Sequence, residues 1–132
     1  MDKTFDHLGV AVRNIDATLP FYLDVLGGKL IDRYTSEAKG VEVHVAAVTV
    51  GEIHLELLEP TNRESPIARF MRQKGQGVHH VAYRVDNLNL AIEEARTAGI
   101  RFYEETLRTN ARGRRLIHMH LASTSGTIVE LC

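Results

Sequence analysis

The most constraining feature of this sequence is the repetition of one strand-like segment. Asp6–Arg13 reads Asp-His-Leu-Gly-Val-Ala-Val-Arg, and the segment after Gly77 reads Val-His-His-Val-Ala-Tyr-Arg-Val. Both are rich in β-branched and apolar residues, which is typical of buried strands. Their aligned histidines, His7 and His80, are 73 positions apart. The sequence therefore predicts two similar halves, each beginning with a strand that carries a histidine.

A second segment repeats almost in step, at the end of each half. Ile53–Leu57 reads Ile-His-Leu-Glu-Leu and Thr127–Leu131 reads Thr-Ile-Val-Glu-Leu, which places Glu56 over Glu130 at an offset of 74. Each half thus has one histidine on its first strand and one glutamate on its last. Such halves can bring four side chains to one point around a pseudo-two-fold axis.

These four residues are candidate metal ligands. A glutamate buried in apolar strand sequence costs several kcal/mol unless it meets a cation, a proton or hydrogen-bond donors. Taken singly, each residue has a simpler explanation. A histidine could be satisfied within the core, and a strand glutamate could face solvent. The matched positions in both halves favour a shared divalent ion instead. Imidazole and carboxylate ligands suit Co, Zn, Ni or Mn and do not choose among them.

The pattern between the repeats predicts the order β-α-β-β-β in each half. The expected class is therefore α+β, with two half-modules that share a sheet. Asp16 is expected to cap the first helix, Gly27 to end it, Ser65 to cap a linker helix and Gly99 to follow the last helix. The expected strands cover residues 4–12, 29–35, 41–50, 53–58, 78–85, 101–104, 115–120 and 127–131.

Length and composition fit one domain of that kind. The 132 residues divide into a first module at about 4–60, a linker helix at about 61–76 and a second module at about 77–132. A net charge of −1 gives no support for nucleic-acid binding, and no apolar run approaches ~20 residues. The N-terminus shows no signal-peptide pattern, and Cys132 is the single cysteine, so a cytoplasmic enzyme or binding protein without disulfides is expected.

The remaining histidines are weaker candidates. His79 should point away from His80, because side chains alternate along a strand. His54 is expected to face solvent or to line a cavity. The same is expected of Glu42 and His44, which share one face of the third strand. His118 and His120 share one face of the seventh strand and could line a cavity.

The charged segment between Glu104 and Arg115 is expected to be a loop. Four of its arginines could hold phosphates or a carboxylate if the loop lies beside an active site. We predict that at least one of them binds the anionic part of a substrate: Arg108, Arg112, Arg114 and Arg115.

Several segments together resemble a known family. The likeness covers nearly the whole chain and is most specific in the linker helix and the double histidine. The matching segments are Asp6–Val12, Phe21-Tyr22 through Val25–Gly27, Leu55–Pro60, Ser65–Phe70, Gly77–Ala82 and Val129–Leu131. They resemble the vicinal oxygen chelate superfamily, whose paired βαβββ modules curl around a metal, and within it they most resemble the methylmalonyl-CoA epimerases.

The resemblance implies a metal-dependent epimerase that removes the α-proton of an acyl-CoA through a metal-stabilised enolate. It places the metal ligands on His7, Glu56, His80 and Glu130. Glu130 is the first candidate for acid/base catalysis, with Glu56 as its partner. A homodimer is also expected. A glyoxalase I-like lyase, another metalloenzyme of this superfamily or a non-catalytic binding protein are the alternatives.

Two segments that border the substrate pocket in the family depart from its pattern. The family has a glycine-rich loop before the seventh strand. This segment reads Asn110-Ala111-Arg112-Gly113 here, and only Gly113 matches the family's pattern. The family's Phe-Leu-His-Pro-Lys run reads His118-Met119-His120-Leu121-Ala122 here, which keeps the histidine and loses the aromatic residue, the proline and the lysine. The residues expected to contact substrate are Arg112, Gly113, His118 and His120.

Overall fold

A computed structural model describes all 132 residues as eight strands and three α-helices. The chain divides into two compact units. The first unit is His7–His79, and the second unit is His80–Cys132 together with Met1–Asp6. The elements are β1 (Thr4–Ala11), α1 (Ile15–Pro20), β2 (Lys29–Ser36), β3 (Val43–Val50), β4 (Ile53–Pro60), α2 (Pro66–Lys74), β5 (Gly77–Arg84), α3 (Leu88–Thr97), β6 (Phe102–Thr109), β7 (Arg115–Met119) and β8 (Val129–Leu131).

In the first unit the strands lie in the order β2-β3-β4-β1. Strands β2, β3 and β4 are antiparallel neighbours, while β1 runs parallel to β4. Fully buried Ile15 of α1 and Leu57 of β4 belong to the core under α1, and burying a side chain of this size stabilises the fold by about 1.5–3 kcal/mol. The helix α2 contributes Ile67 to a second cluster with Ala11 and Leu58.

The second unit repeats this arrangement in the order β5-β8-β7-β6. Strands β5 and β8 are parallel, and β8, β7 and β6 are antiparallel neighbours. Leu88, Ala91 and Ile92 of α3 pack on Ile117 and Leu131, with Ala95 against the same cluster. These residues recur at helical spacing and form the buried face of α3. The predicted α+β class with two βαβββ modules is confirmed.

The start of α1 differs from the expectation. Asn14, not Asp16, is the N-cap: its Oδ1 accepts the N–H of Ala17 at 2.8 Å. Asp16 lies in the first turn and pairs with Arg33 at 2.7 Å, and this hydrogen bond lowers the pKa of the exposed Asp16 carboxyl. Asn and Asp both favour the N-cap position, so residue type alone does not decide which of the two caps the helix.

The end of this helix is a π-helical segment, Phe21–Val25, which the sequence did not predict. It follows Pro20, which has no N–H to donate to the α-helical ladder. Gly27 then takes φ 70°, and Gly28 passes so close to its neighbours that an added Cβ would lie 2.7 Å from the carbonyl oxygens of Tyr22 and Thr49. The predicted stop at the paired glycines is confirmed.

Two differences from the expected strand boundaries affect the candidate residues. Strand β3 begins at Val43, because Glu42 has φ 45° and its carboxylate accepts the N–H of Gly40 at 2.7 Å and the amide of Asn62 at 3.0 Å. Glu42 therefore closes a turn and does not share a strand face with His44. Strand β6 continues to Thr109, so most of the charged segment is a β-hairpin and not a loop.

The start and end of the linker helix match the sequence. Ser65 caps α2 by accepting the N–H of Ala68 at 3.0 Å, and Pro66 occupies its first turn. The helix α2 belongs to the first unit. None of the three helices has the length and apolar character needed to cross a membrane.

Candidate active site

The first unit brings together two of the four predicted ligands. His7 is buried, and its Nε2 lies 3.6 Å from Oε2 of Glu56, whose side chain is 28% exposed. Glu56 is the register partner of Gly9, two residues after His7. Residues two apart on a strand share a face, so His7 and Glu56 meet on the same side of the sheet.

The second unit repeats this geometry. Nε2 of His80 lies 3.7 Å from Oε2 of Glu130, and both side chains are buried. Glu130 is the register partner of Ala82, which again lies two residues after the histidine. A small residue, Ala82, stands where Gly9 stands in the first unit. Each unit thus builds one His–Glu pair by the same strand register.

The distances within each pair are close to those of two ligands on one ion. Both exceed a hydrogen-bond length and lie just above the roughly 3.0–3.5 Å that separates two donors at about 2.0–2.2 Å from a zinc-sized ion. Each pair offers an imidazole nitrogen and a carboxylate oxygen, which are ligand types that divalent transition metals accept. The residues present therefore fit the metal that the sequence indicates.

The sequence missed one contact at this site. Nε2 of His118 lies 3.0 Å from Oε2 of Glu130, and the two residues are register partners on β7 and β8. The His118 ring is tilted against that of His80, with 5.9 Å between centroids. Both residues were candidates from the sequence, but the strand register that pairs them could not be predicted from it.

His120 does not lie on the strand, contrary to the prediction that it shares a strand face with His118. Strand β7 ends at Met119, and His120 caps the short 3₁₀ turn Leu121–Ser123, its Nδ1 accepting the N–H of Ala122 at 3.0 Å. Its ring stacks on Tyr103 at 4.5 Å.

The other polar candidates have identified partners. His79 makes an edge contact with the ring of Phe70 at 4.7 Å. His44 lies in a row across three strands, with its Nδ1 2.7 Å from the Thr35 hydroxyl and its Nε2 3.9 Å from Glu59. His54 is exposed on β4.

The arginines of the hairpin differ from one another. Arg114 binds Asp6 through two hydrogen bonds, at 2.9 and 3.0 Å, and the Asp6 side chain is only 11% exposed. Partial burial acts to lower the pKa of Arg114, but the Asp6 hydrogen bond and neighbouring negative charges outweigh it, so the pKa is raised. Arg115 reaches Asn89 of α3 at 3.1 Å.

The tip of this hairpin is a tight turn. Asn110 Oδ1 accepts the N–H groups of Arg112 and Arg114, both at 2.9 Å, and Gly113 has φ 81°. The exposed Arg112 is carried on this turn. Arg108 lies on β6, opposite Leu116.

Comparison with known proteins identifies the class. The family model for the glyoxalase/bleomycin resistance protein/dioxygenase superfamily matches residues 6–117. The chain belongs to this superfamily, which confirms the resemblance seen in the sequence.

Within that class the relatives are more specific. The human mitochondrial methylmalonyl-CoA epimerase is 33% identical over 127 residues, which cover 96% of this chain and 71% of the relative. A crystal structure of a hypothetical protein from Bacillus halodurans C-125 is similar with a TM-score of 0.92 and 35% identity, covering 100% of this chain and 94% of that one. A methylmalonyl-CoA epimerase solved with methylmalonyl-CoA and NH4+ has a TM-score of 0.87 and 28% identity, covering 98% and 92%.

Proposed function

We propose that this protein is a metal-dependent epimerase of methylmalonyl-CoA. The proposal is supported by its similarity to epimerases along almost the whole chain. The observation that carries it is the pair of His–Glu contacts, one in each unit, built by the same register.

His7, Glu56, His80 and Glu130 are the residues that would hold one divalent ion, which could be Co, Zn, Ni or Mn. Their chemistry supports this, because imidazole nitrogens and carboxylate oxygens are ligands that divalent transition metals accept. When bound, such an ion supplies Lewis-acid polarisation of the thioester carbonyl and so eases loss of the α-proton. His7, His80 and Glu130 are buried, which keeps water from competing for these groups.

Glu130 and Glu56 are the proposed acid/base pair. Inversion at the α-carbon requires a proton to leave one face and another to arrive on the opposite face. A carboxylate oxygen of one glutamate would take the proton, and the carboxyl group of the other would return one. The matched register of the two residues gives each unit one such group, which fits a reaction with two faces.

The substrate class is an acyl-CoA, an anion with phosphates and a carboxylate. Arg112, Gly113 and His120 remain predicted substrate contacts, while His118, which was predicted with them, lies 3.0 Å from Glu130. Arg114 is held by Asp6, which favours Arg108 over Arg114 as an arginine that binds substrate. Arg112→Ala should raise KM roughly 10- to 150-fold, as expected for loss of a charge-assisted contact. Unchanged kinetics for all four arginine variants would leave the cluster as surface charge.

The experiment that tests the function follows the α-proton. The protein is stripped of metal, reloaded with Co²⁺ or Mn²⁺, and incubated with methylmalonyl-CoA in D₂O. Exchange of the α-proton and interconversion of the epimers are expected only after reloading. Turnover of a glutathione hemithioacetal without this exchange would instead assign a glyoxalase I-like lyase, the alternative favoured by the altered residues 118–122. Neither reaction, together with no bound metal, would assign a binding protein.

A homodimer and a cytoplasmic location remain predictions. Analytical ultracentrifugation of the purified protein tests the first, and fractionation of the producing cells tests the second. The human relative is named as mitochondrial.

A further inference from the structure

The contact between His118 and Glu130 has no counterpart in the first unit. The register partner of Glu130 on the adjacent antiparallel strand is His118, whereas the partner of Glu56 on the equivalent strand is Ala47. The Glu130 side chain is 7% exposed and that of Glu56 is 28% exposed. The duplicated fold thus places a histidine beside one carboxylate and an alanine at the same position beside the other.

The backbone of His118 is itself fixed. Its N–H donates to the Thr106 hydroxyl at 2.9 Å, and that hydroxyl donates to the carbonyl of Tyr103 at 2.6 Å. These bonds lie where the register between β6 and β7 shifts between Tyr103 and Arg108. A bulge of this kind re-aims a side chain, and here it fixes the strand position from which the His118 ring reaches the carboxylate.

Two histidines of the second unit, His80 and His118, approach the same oxygen of Glu130. His118 lies at hydrogen-bond distance, 3.0 Å, and His80 lies at 3.7 Å. A carboxylate only accepts hydrogen bonds, so the contact requires the proton of His118 on Nε2. A donor at this position fixes the plane of the carboxylate and therefore the direction of its lone pairs.

We propose that His118 is a positioning residue, which holds the Glu130 carboxylate in the orientation needed to ligate a metal, rather than a residue that contacts substrate. The inference rests on the metal site proposed above. It predicts that loss of His118 weakens metal binding without substrate present, whereas loss of a substrate contact would raise KM alone. The phenylalanine found at this position in the epimerase pattern could not make the bond.

The first arm of the test measures metal affinity. Apo protein is titrated with Co²⁺ against a chelator, and the Co²⁺ absorption spectrum is recorded. His118→Phe should lower affinity about 10- to 100-fold while one ion per chain remains, the effect typical of residues that orient metal ligands. His118→Gln, whose amide can still donate, should recover most of that loss, and His54→Gln should change nothing. Unchanged affinity in folded His118→Phe would overturn the proposal.

The second arm needs no metal. Nitrogen NMR of the apo protein should show His118 protonated on Nε2, with this preference lost in Glu130→Ala. An Nδ1-protonated His118 in the wild-type protein would overturn the proposal, because no proton would then face Glu130. A wild-type protein that binds no Co²⁺ would refute the proposed metal site, while this second arm would still decide the role of His118.

Discussion

Glu56 and Glu130 occupy the same register position in the two units, yet their surroundings differ. Ala47 lies beside Glu56, and His118 lies beside Glu130. Glu56 is the more exposed of the two, and the buried Glu130 has a hydrogen-bonding partner on the next strand. A repeated backbone thus gives two carboxylates matching strand positions, while one residue on the neighbouring strand sets how firmly each is held.

The largest effect should come from removing a histidine of either pair. His7→Ala and His80→Ala should each lower metal affinity by more than about 100-fold, beyond the range found for residues that only orient ligands. The two variants should be similar, because the proposed ion takes one nitrogen from each unit. Metal content after dialysis measures this.

His79→Ala is the control for this prediction, since His79 neighbours His80 but contacts Phe70. It should keep one ion per chain and lose at most ~10–100-fold in affinity. Complete loss of metal from His79→Ala would mean that the wrong histidine of the pair had been chosen.

Removing the basic oxygen of each glutamate should have the next largest effect. Glu56→Gln and Glu130→Gln keep a ligating oxygen but cannot accept a proton, so kcat should fall about 10²- to 10⁴-fold. When each pure epimer is incubated in D₂O, one variant should incorporate deuterium mainly into one epimer and the other variant mainly into the other. Equal and undiminished exchange in both would exclude these carboxylates as the acid/base pair.

Giving the first unit the partner that the second unit has should produce a smaller change. Ala47→His places an imidazole beside Glu56, and a new hydrogen bond contributes about 0.5–1.5 kcal/mol, or roughly 2- to 12-fold in metal affinity. Chelator competition measures the gain, with Ala47→Gln as the comparison. Weaker metal binding in a folded Ala47→His protein would show that the two positions are not equivalent.

The smallest difference between the units should be in the stability lost when a helix cap is removed. Asn87 caps α3 by accepting the N–H of Leu90 at 3.0 Å, so Asn87→Ala should lower the free energy of unfolding by about 1 kcal/mol. Asn14→Ala should cost less, because Glu59 still accepts the N–H of Ile15 at 2.7 Å. Urea unfolding of both variants measures the two losses of unfolding free energy. A larger loss in Asn14→Ala than in Asn87→Ala would contradict the prediction.

The elements that could be predicted from the sequence are those with local signals. Ser65 before a proline, the apolar stripe of α3 and Gly99 after its last turn each have a cause within one helix. The extension of β6 has no such signal, because residues 104–109 are mostly polar and the register shift interrupts their alternation. The N-cap at Asn14 was missed for a related reason, since Asp16 is equally suitable in type.

The site was predictable in its residues but not in its pairing. The two histidines are 73 positions apart and the two glutamates 74, so sequence alone leaves a one-residue ambiguity. One residue decides which face of a strand a side chain takes. The structure resolves it, since Glu56 pairs with Gly9 and Glu130 with Ala82, in each case two residues after the histidine.

This parallel pairing has a consequence for engineering. Glu130 is located by its strand partner Ala82, while the chain reaches it from β7 through residues 120–128, a longer connection than the Gly51–Glu52 turn of the first unit. The length of that connection therefore does not set the position of the glutamate. Residues 124–127 form a segment into which new sequence could be grafted, so a binding loop or a reporter could be installed close in sequence to the site without shifting its carboxylate.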